Sequence, residues 1–352
     1  MPDTSPSSPV TQAIAVLARG ESLSEALATQ VFDVVMRGEA TPAQMGAILL
    51  GLRAKGETAA EVAGVVRALR SAMVKVTAEG PHVVDTCGTG GGTVSTFNIS
   101  TVAAFVAVGA GATVPKHGNR SYTSQCGSAD VLEAMGITIP PDAKTAELTL
   151  ARAGLAFLFA PNFHPAMRHL APIRKELGVT TVMNLVGPLA NPAGVRRQVV
   201  GVADPSRAPL VAEALALLGT EHALVVHGRA GMDEISPAGL TDVWEIRGGK
   251  TSRSVLDPEA LGLPAVDLAE LRGGPPSQNA RRAERILDGG GEDEAGKTAV
   301  LLNAGAAVYV AGVAKDVPEG LKKARAALES GAAREVLLKL RNRGSASVSI
   351  FG

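Results

Sequence analysis

The chain has 352 residues, enough for two domains or one large one, and 46% of them are hydrophobic. Only 3% are aromatic, so Ala, Val and Leu must fill the core. Lys plus Arg equal Asp plus Glu at 34 each, and this balance gives no electrostatic reason to expect a nucleic-acid or membrane partner. Cys87 and Cys126 show no metal-ligand spacing and no disulfide framework, which fits a reducing cytosol and a cytoplasmic location. No apolar run approaches the length of a membrane span. Residues 1–9 lack a basic stretch followed by an apolar one, so they read as a loose tail and not as a secretion signal.

Residues 10–79 read as a small helical domain. Ser22–Glu25, Thr41–Gln44 and Thr58–Glu61 each match a capping box, in which the hydroxyl caps the third helical N–H and the acid or amide reaches back. Apolar residues follow at helical spacing, as in Val31, Val34, Val35 and Met45, Ile48, Leu49, Leu52. From residue 80 to 352 the pattern predicts an α/β domain with a mainly parallel sheet, because short β-rich runs alternate with helical ones. The strands are expected at Val83–Val84, Thr113–Val114, Leu155–Phe159, Val199–Val202, Ala223–Val226 and Val243–Ile246. Helical stretches are expected at Ser100–Gly109 and Ala129–Met135, and helices dominate again from Asn279 to Arg341. A segment of about 165–190, with short helices over Pro165–Leu177 and Thr181–Val186, interrupts the alternation. It is expected to pack back on the N-terminal helices and line a cleft. Asp288–Glu294 reads as a surface loop.

Four groups of residues could carry chemistry. The apolar pair Val83–Val84 leads into Asp85–Thr101, an acid followed by four glycines and seven hydroxyl side chains, after which a helical pattern begins. That order suits a strand, a phosphate-cradling loop and a helix N-terminus with unpaired N–H donors. The loop lacks the Lys of a Walker A motif and the last glycine of a dinucleotide fingerprint. Lys116–Ser124 gathers two cations, an imidazole, an amide and four hydroxyls just after a predicted strand, as a second anion clamp would. Asp233 and Glu234, adjacent on a predicted loop, are oxygen ligands suited to Mg²⁺ once a phosphate is nearby. The run Phe157–His169, followed by Arg174, joins an apolar wall to imidazoles and arginines and would suit a planar aromatic carboxylate. Cys87 reads as a small buried side chain and not a nucleophile. Phe157, Phe159 and Trp244 read as core.

As a set, these residues resemble the anthranilate phosphoribosyltransferase family. The resemblance rests on Gly88–Gly91 followed by Thr96–Thr101, on Lys116–Arg120, on Asn184–Pro192 and on Gly231–Glu234, in that order, and it runs from about residue 10 to 345. It implies a class II nucleoside phosphorylase/phosphoribosyltransferase-like fold: a small helical domain joined to a large α/β domain, usually as a homodimer. It also implies transfer of the phosphoribosyl group of 5-phosphoribosyl 1-diphosphate to anthranilate, a step of tryptophan biosynthesis. Carried over residue by residue, Gly88, Gly91, Gly92, Thr96, Asn98, Ile99, Ser100, Thr101, Lys116, His117, Gly118, Asn119, Arg120, Ser121, Tyr122, Thr123, Ser124 and Ser128 would bind the phosphoribosyl donor. Ser100, Asp233 and Glu234 would hold Mg²⁺. Gly88, Asn119 and Arg174 would contact anthranilate, with His117, His164 and Pro188 lining its path.

Many members of that family carry Asp where this chain has Gly92. The resemblance therefore implies that backbone N–H contacts remain there while the Mg²⁺ dependence differs from the usual member. Positioning and electrostatics are expected to dominate the chemistry, with no covalent intermediate and no side chain acting as a catalytic acid, base or nucleophile. Two alternatives stand beside this reading. A pyrimidine nucleoside phosphorylase shares the two-domain plan, but Thr96–Thr101 and Asp233–Glu234 argue against it. A non-catalytic nucleic-acid-binding relative of the fold would want a basic surface, which a net charge of zero disfavours.

Overall fold

A computed structural model of the chain describes residues 8–121 and 125–342. Tyr122, Thr123, Ser124 and most of the predicted tail lie outside the described residues. The N-terminal part is helical: α1 (Pro9–Ala18), α2 (Glu25–Met36), α3 (Pro42–Lys55) and α4 (Ala59–Ala72). Thr41 and Thr58 close the expected capping boxes. The third expected box does not form. Ser24, not Ser22, caps α2 by accepting from Leu27 N, which makes Glu25 the first helical residue. Glu25 is then placed to meet Arg67, and the Ser22 hydroxyl takes a hydrogen bond from Lys55 Nζ at 3.2 Å.

The α/β part begins with β1 (Asp85–Gly88), α5 (Ile99–Gly109), β2 (Val114–Gly118), α6 (Ser128–Ala134), α7 (Ala143–Ala153) and β3 (Leu155–Phe159). The interrupting segment holds α8 (Ala160–Phe163), a 3-10 turn (Pro165–His169), α9 (Ala171–Leu177) and α10 (Met183–Val186). Then come β4 (Arg197–Gly201), α11 (Ala208–Leu217), β5 (His222–Gly228), β6 (Thr241–Arg247) and β7 (Lys250–Leu256). The chain closes with α12 (Pro276–Leu287), α13 (Glu294–Val310), α14 (Val317–Glu329) and α15 (Ala332–Arg341). The sheet order is β1-β4-β5-β6-β7, parallel from β1 to β5 and antiparallel beyond. β2 and β3 form a parallel pair that meets the β1 edge through the parallel bridge Val83–Thr113.

Two strand positions differ from expectation, with direct consequences for the site. β1 starts at Asp85 and not at Val83, because pairing with Gln198–Gly201 of β4 overrides the weak strand propensity of Thr and Gly. β2 runs on through Gly118, so Lys116, His117 and Gly118 are strand residues and not loop residues. β7 carries little apolar signal before its last two residues: it is an exposed edge strand of mostly polar side chains, joined to β6 by Gly248–Gly249, both at positive φ.

One apolar core lies between the sheet and the helices α5 and α13. A second joins the N-terminal helices to the opposite sheet face, through Val200, Val225 and Trp244, and also takes in Leu170, Val182, Met183, Leu185 and Val186. The 165–190 segment thus packs on the N-terminal helices, as its sequence suggested. Among the described residues, no helix is long and apolar enough to cross a membrane.

Candidate active site

The glycine loop leaves the C-terminal end of β1, where open α/β sheets place their ligands. Gly88 ends the strand where a Cβ would lie 2.4 Å from Asp233 Oδ2, so any other residue there would displace that carboxylate or the strand end. Gly90 and Gly91 follow at φ 68° and 78°, in the left-handed region. The loop closes through Ser95–Phe97, which pairs with 271–273: Phe97 N donates to Leu271 O at 3.0 Å and Gly273 N to Ser95 O at 3.1 Å. Thr96 bridges Arg272 within this pairing. Asn98 then starts α5 without capping it by its side chain. Ile99 and Thr101 turn their side chains into the core, so only their backbone can face a ligand.

The N–H donors of this cradle are partly taken by the chain's own acids. Gly90 N donates to Asp233 Oδ2 at 2.8 Å, and Ser100 N donates to Glu234 Oε1 at 3.1 Å. The two carboxylates occupy positions an incoming anion would want, a loop amide and the positive end of α5. Burial holds the Asp233 carboxyl above its usual range. Burial, and then the neighbouring Asp233 charge, push Glu234 up to about 8. The peptide after Glu234 is fixed by Asn303 of α13: Ile235 N donates to Asn303 Oδ1 at 3.0 Å, and Asn303 Nδ2 donates to Ile235 O at 2.9 Å. Two partly buried acids with raised pKa values, beside the Ser100 hydroxyl, are an oxygen-only donor set in want of a cation, and this fits Mg²⁺. No group of three His, Cys, Asp or Glu with metal-binding placement occurs among the described residues, so phosphate or water oxygens would have to complete the coordination.

Lys116 lies beneath the loop. Its side chain is only 2% exposed, and Nζ donates to Thr86 O while standing 3.5 Å from the hydroxyls of Thr86 and Ser100. Its positive charge opposes the burial-driven rise at Asp85 and at Glu234. Asp85 itself accepts from Asn191 Nδ2 at 2.7 Å and from His117 N at 3.3 Å. Beyond β2 the chain turns through Asn119, Arg120 and Ser121. Asn119 Oδ1 accepts from Arg120 N at 2.7 Å. Arg120 is exposed, and its guanidinium is held by Asp130 and Glu133. Asp130 also accepts from Ser121 N and Gly127 N, which draws the loop closed just before Ser128 opens α6.

A second, uncharged seam adjoins this one. His117 and His164 face each other with ring centroids 5.0 Å apart. Both are buried, and both are bonded to backbone of the Gly187–Ala190 turn, His117 to Gly187 and His164 to Ala190. Burial pulls His117 down to about 3 and His164 to about 4, so both are neutral at pH 7. Each Nε2 is buried with no hydrogen-bond partner, which leaves an acceptor aimed into this seam. Pro188 is buried in the same turn, and its carbonyl accepts from Gln198 Nε2 at 2.9 Å. Arg174 is half-buried on α9, which packs against α3, and stands on a different element from the imidazole pair. Burial also raises the Cys87 thiol well above its usual pKa, as expected of a side chain that is not a nucleophile.

The structure thus draws Gly88, Ser100, Lys116, Asp233 and Glu234 into one cluster and His117, His164 and Pro188 into a neighbouring one. No local sequence signal marks Asn303, whose helix also carries Glu294, Lys297 and Thr298; only the fold brings it to the Ile235 peptide.

Comparison with known proteins gives the same picture. Residues 11–73 match the helical bundle domain of a glycosyl transferase family, and residues 80–334 match the a/b domain of that family. An anthranilate phosphoribosyltransferase of Anaeromyxobacter sp. (strain K) is 49% identical over 94% of this chain and 97% of its own length. The same holds for the enzyme of Roseiflexus castenholzii, at 49% identity with 94% and 97% covered. The crystal structure of anthranilate phosphoribosyltransferase from Thermus thermophilus superposes with a TM-score of 0.88 at 41% identity, covering 95% of this chain and all of that one. The Saccharomyces cerevisiae enzyme in complex with PRPP and Mg gives a TM-score of 0.85 at 29% identity, covering 95% and 97%. On this evidence the chain belongs to the anthranilate phosphoribosyltransferase family.

Proposed function

We infer that this protein transfers the phosphoribosyl group of 5-phosphoribosyl 1-diphosphate to anthranilate, giving N-(5-phosphoribosyl)anthranilate and diphosphate. The observation that carries the reading is the convergence of the glycine loop, the α5 N-terminus and the Asp233–Glu234 pair beside a neutral, half-apolar seam. The diphosphate end belongs at the loop, where Gly90–Gly92, Ser100 and the α5 backbone supply donors. Asp233, Glu234 and Ser100 would hold Mg²⁺, which when bound supplies positive charge against the leaving diphosphate. Asp233 and Glu234 would then exchange loop N–H groups for the cation, freeing those amides for phosphate oxygens.

The reaction breaks the bond from the anomeric carbon to the diphosphate oxygen and forms one to the anthranilate nitrogen. The ribose gains oxocarbenium character on the way, and the nitrogen afterwards gives up its proton to the released diphosphate or to water. An aromatic amine is uncharged at pH 7, so it needs orientation more than activation. His117 and His164 suit that task because both are neutral and each offers an unpaired Nε2 to an N–H group. Arg174 would grip the carboxylate of anthranilate.

The reading also takes residues 10–79, completed by about 165–190, as one domain and 80–352 as the other, with a homodimer at work in the cytoplasm; sizing by light scattering tests the dimer. The decisive assay follows loss of anthranilate fluorescence with phosphoribosyl diphosphate and Mg²⁺, and absence of turnover would sink the reading. Within it, Arg174→Ala should raise the KM for anthranilate about tenfold and leave that for the phosphoribosyl donor nearly unchanged. Equal effects on both constants would count against the role given to Arg174.

A further inference from the structure

Helix α12 touches neither seam with an acid or a free cation, yet two of its side chains reach the glycine loop. Asn279 is almost fully buried. Its Nδ2 donates to Asn98 Oδ1 at 3.0 Å, and its Oδ1 accepts from Gly274 N at 2.9 Å. Asn98 passes the connection on, since its own Nδ2 donates to Cys126 O at 3.0 Å. A single relay of amides thus runs from α12 through Asn98, just before the first turn of α5, to Cys126, just ahead of α6. The relay explains why Asn98 does not cap α5: its side chain is spent on the two neighbours.

Three residues on, and so on the same face of α12, Arg282 secures the other side of the loop. Its guanidinium lies over the Phe97 ring, 4.2 Å from the centroid. It donates to Glu270 O at 2.8 Å and to Arg272 O at 3.3 Å, and it is itself oriented by Asp293 at 2.6 and 2.8 Å. Those carbonyls flank Leu271, whose own carbonyl accepts from Phe97 N. The approach is close, since a Cβ on Gly273 would stand 2.6 Å from Thr96 O.

We propose that Asn279, supported by Arg282, is a positioning residue for the phosphoribosyl donor: it acts through Asn98 to hold the glycine loop in register with Cys126 and Gly127, just ahead of α6. The inference rests on the placement of the donor at the glycine loop given above. An amide is suited to this because it donates and accepts at once and carries no charge into a region already crowded with carboxylates. Asp at the same position would keep the bond from Gly274 N but lose the donor to Asn98. The Asn98 amide would have to turn over to meet it, and its oxygen would then face the Cys126 carbonyl.

The test is a double-mutant cycle read by calorimetric titration with phosphoribosyl diphosphate and Mg²⁺, without anthranilate. Asn279→Ala should weaken donor binding about tenfold, as expected for a buried hydrogen bond lost at a site that must be pre-formed. Asn279→Asp should do the same without a cavity. Added to Asn98→Ala, Asn279→Ala should cause no further loss, because the two act as a unit. The KM for anthranilate should stay within about twofold in all of them. Additive losses, or an Asn279→Ala protein that binds donor like the unaltered one, would overturn the proposal. An Asn98→Ala protein with full donor affinity would overturn the placement of the donor itself, and the inference with it.

Hydrogen exchange on the unaltered protein answers the case in which neither variant folds. Donor binding should slow exchange at residues 271–274 as well as at 88–101, whereas protection confined to 88–101 would refute the coupling.

Discussion

The two seams of the site solve the same problem in opposite ways. Both bury polar groups next to the sheet. The donor seam keeps its ionisable groups and surrounds them with N–H donors and one buried cation, as at Gly90 with Asp233, Ser100 with Glu234, and Lys116 with the Thr86 carbonyl. The acceptor seam discards charge: His117 and His164 hang from the Gly187–Ala190 backbone as neutral rings. The difference follows the ligands proposed for each. A diphosphate and its cation bring charge and need a cradle prepared for it, whereas the uncharged amino group of anthranilate is best oriented by neutral groups, its carboxylate being left to Arg174.

On that contrast, the donor seam should be intolerant of any displacement. Gly88→Ala places a Cβ 2.4 Å from Asp233 Oδ2, so either the strand end or the carboxylate must move. A shift of an ångström in a positioning group costs on the order of 100-fold in rate, and we expect kcat/KM to fall by about that much. The thermal midpoint should change far less. A variant with near-normal kcat/KM would show that Asp233 is not held where the cradle needs it.

The acceptor seam should reveal itself in acid stability. Its imidazoles have folded pKa values of about 3 and about 4, below the ordinary value of 6.5, so between those limits the unfolded chain binds more protons than the folded one. The stability they preserve is complete above pH 6.5 and is lost as the pH falls toward 4. At pH 4.5 the loss is on the order of 3 kcal/mol for each ring, from two pH units below the unfolded value. His117→Asn and His164→Asn keep a neutral donor for the Gly187 and Ala190 backbone, so urea midpoints measured at pH 7 and pH 4.5 should lie closer together in either variant. A pH dependence identical to that of the unaltered protein would mean that acid unfolding is governed elsewhere.

These regions also differ in how far they could be read from residues alone. The donor loop was legible because its features are local: glycines, hydroxyls and a helix start follow each other in Asp85–Thr101, and the acids stand side by side at 233 and 234. The extent of β1 and β2 was not, because it depends on pairing with β4 and β3, which lie far along the chain. That pairing turned Lys116 from an expected loop cation into a buried one. The supporting amides Asn279 and Asn303 were illegible for a different reason. Asparagine inside a helix is ordinarily a solvated residue, and only the folded chain shows Asn303 spanning the Ile235 peptide and Asn279 meeting Asn98. The Ser22 box failed because two caps, Ser22 and Ser24, competed within three residues, and a local pattern cannot choose between them.

The smallest expected effect concerns Gly92, where the family resemblance implies an Asp in many relatives. Gly92 does not have a left-handed φ, so a side chain there meets no backbone penalty. Its Cβ would lie 3.6 Å from Asp233 Oδ1 and 3.0 Å from Gly231 O, close enough that the Gly231 turn must yield by a few tenths of an ångström. Gly92→Asp therefore brings a third carboxylate beside Asp233 at the rim of the donor seam. More oxygen charge near a divalent cation lowers the concentration needed to fill the site, and we expect the half-saturating Mg²⁺ concentration to drop by roughly threefold to tenfold. Repulsion from the added charge acts on the donor as well, so its KM measured at low Mg²⁺ should rise while that at saturating Mg²⁺ stays unchanged. A Mg²⁺ titration of activity that superposes on that of the unaltered protein would mean that the cradle is set by its backbone alone, and that the charge of the donor seam is complete with Asp233 and Glu234.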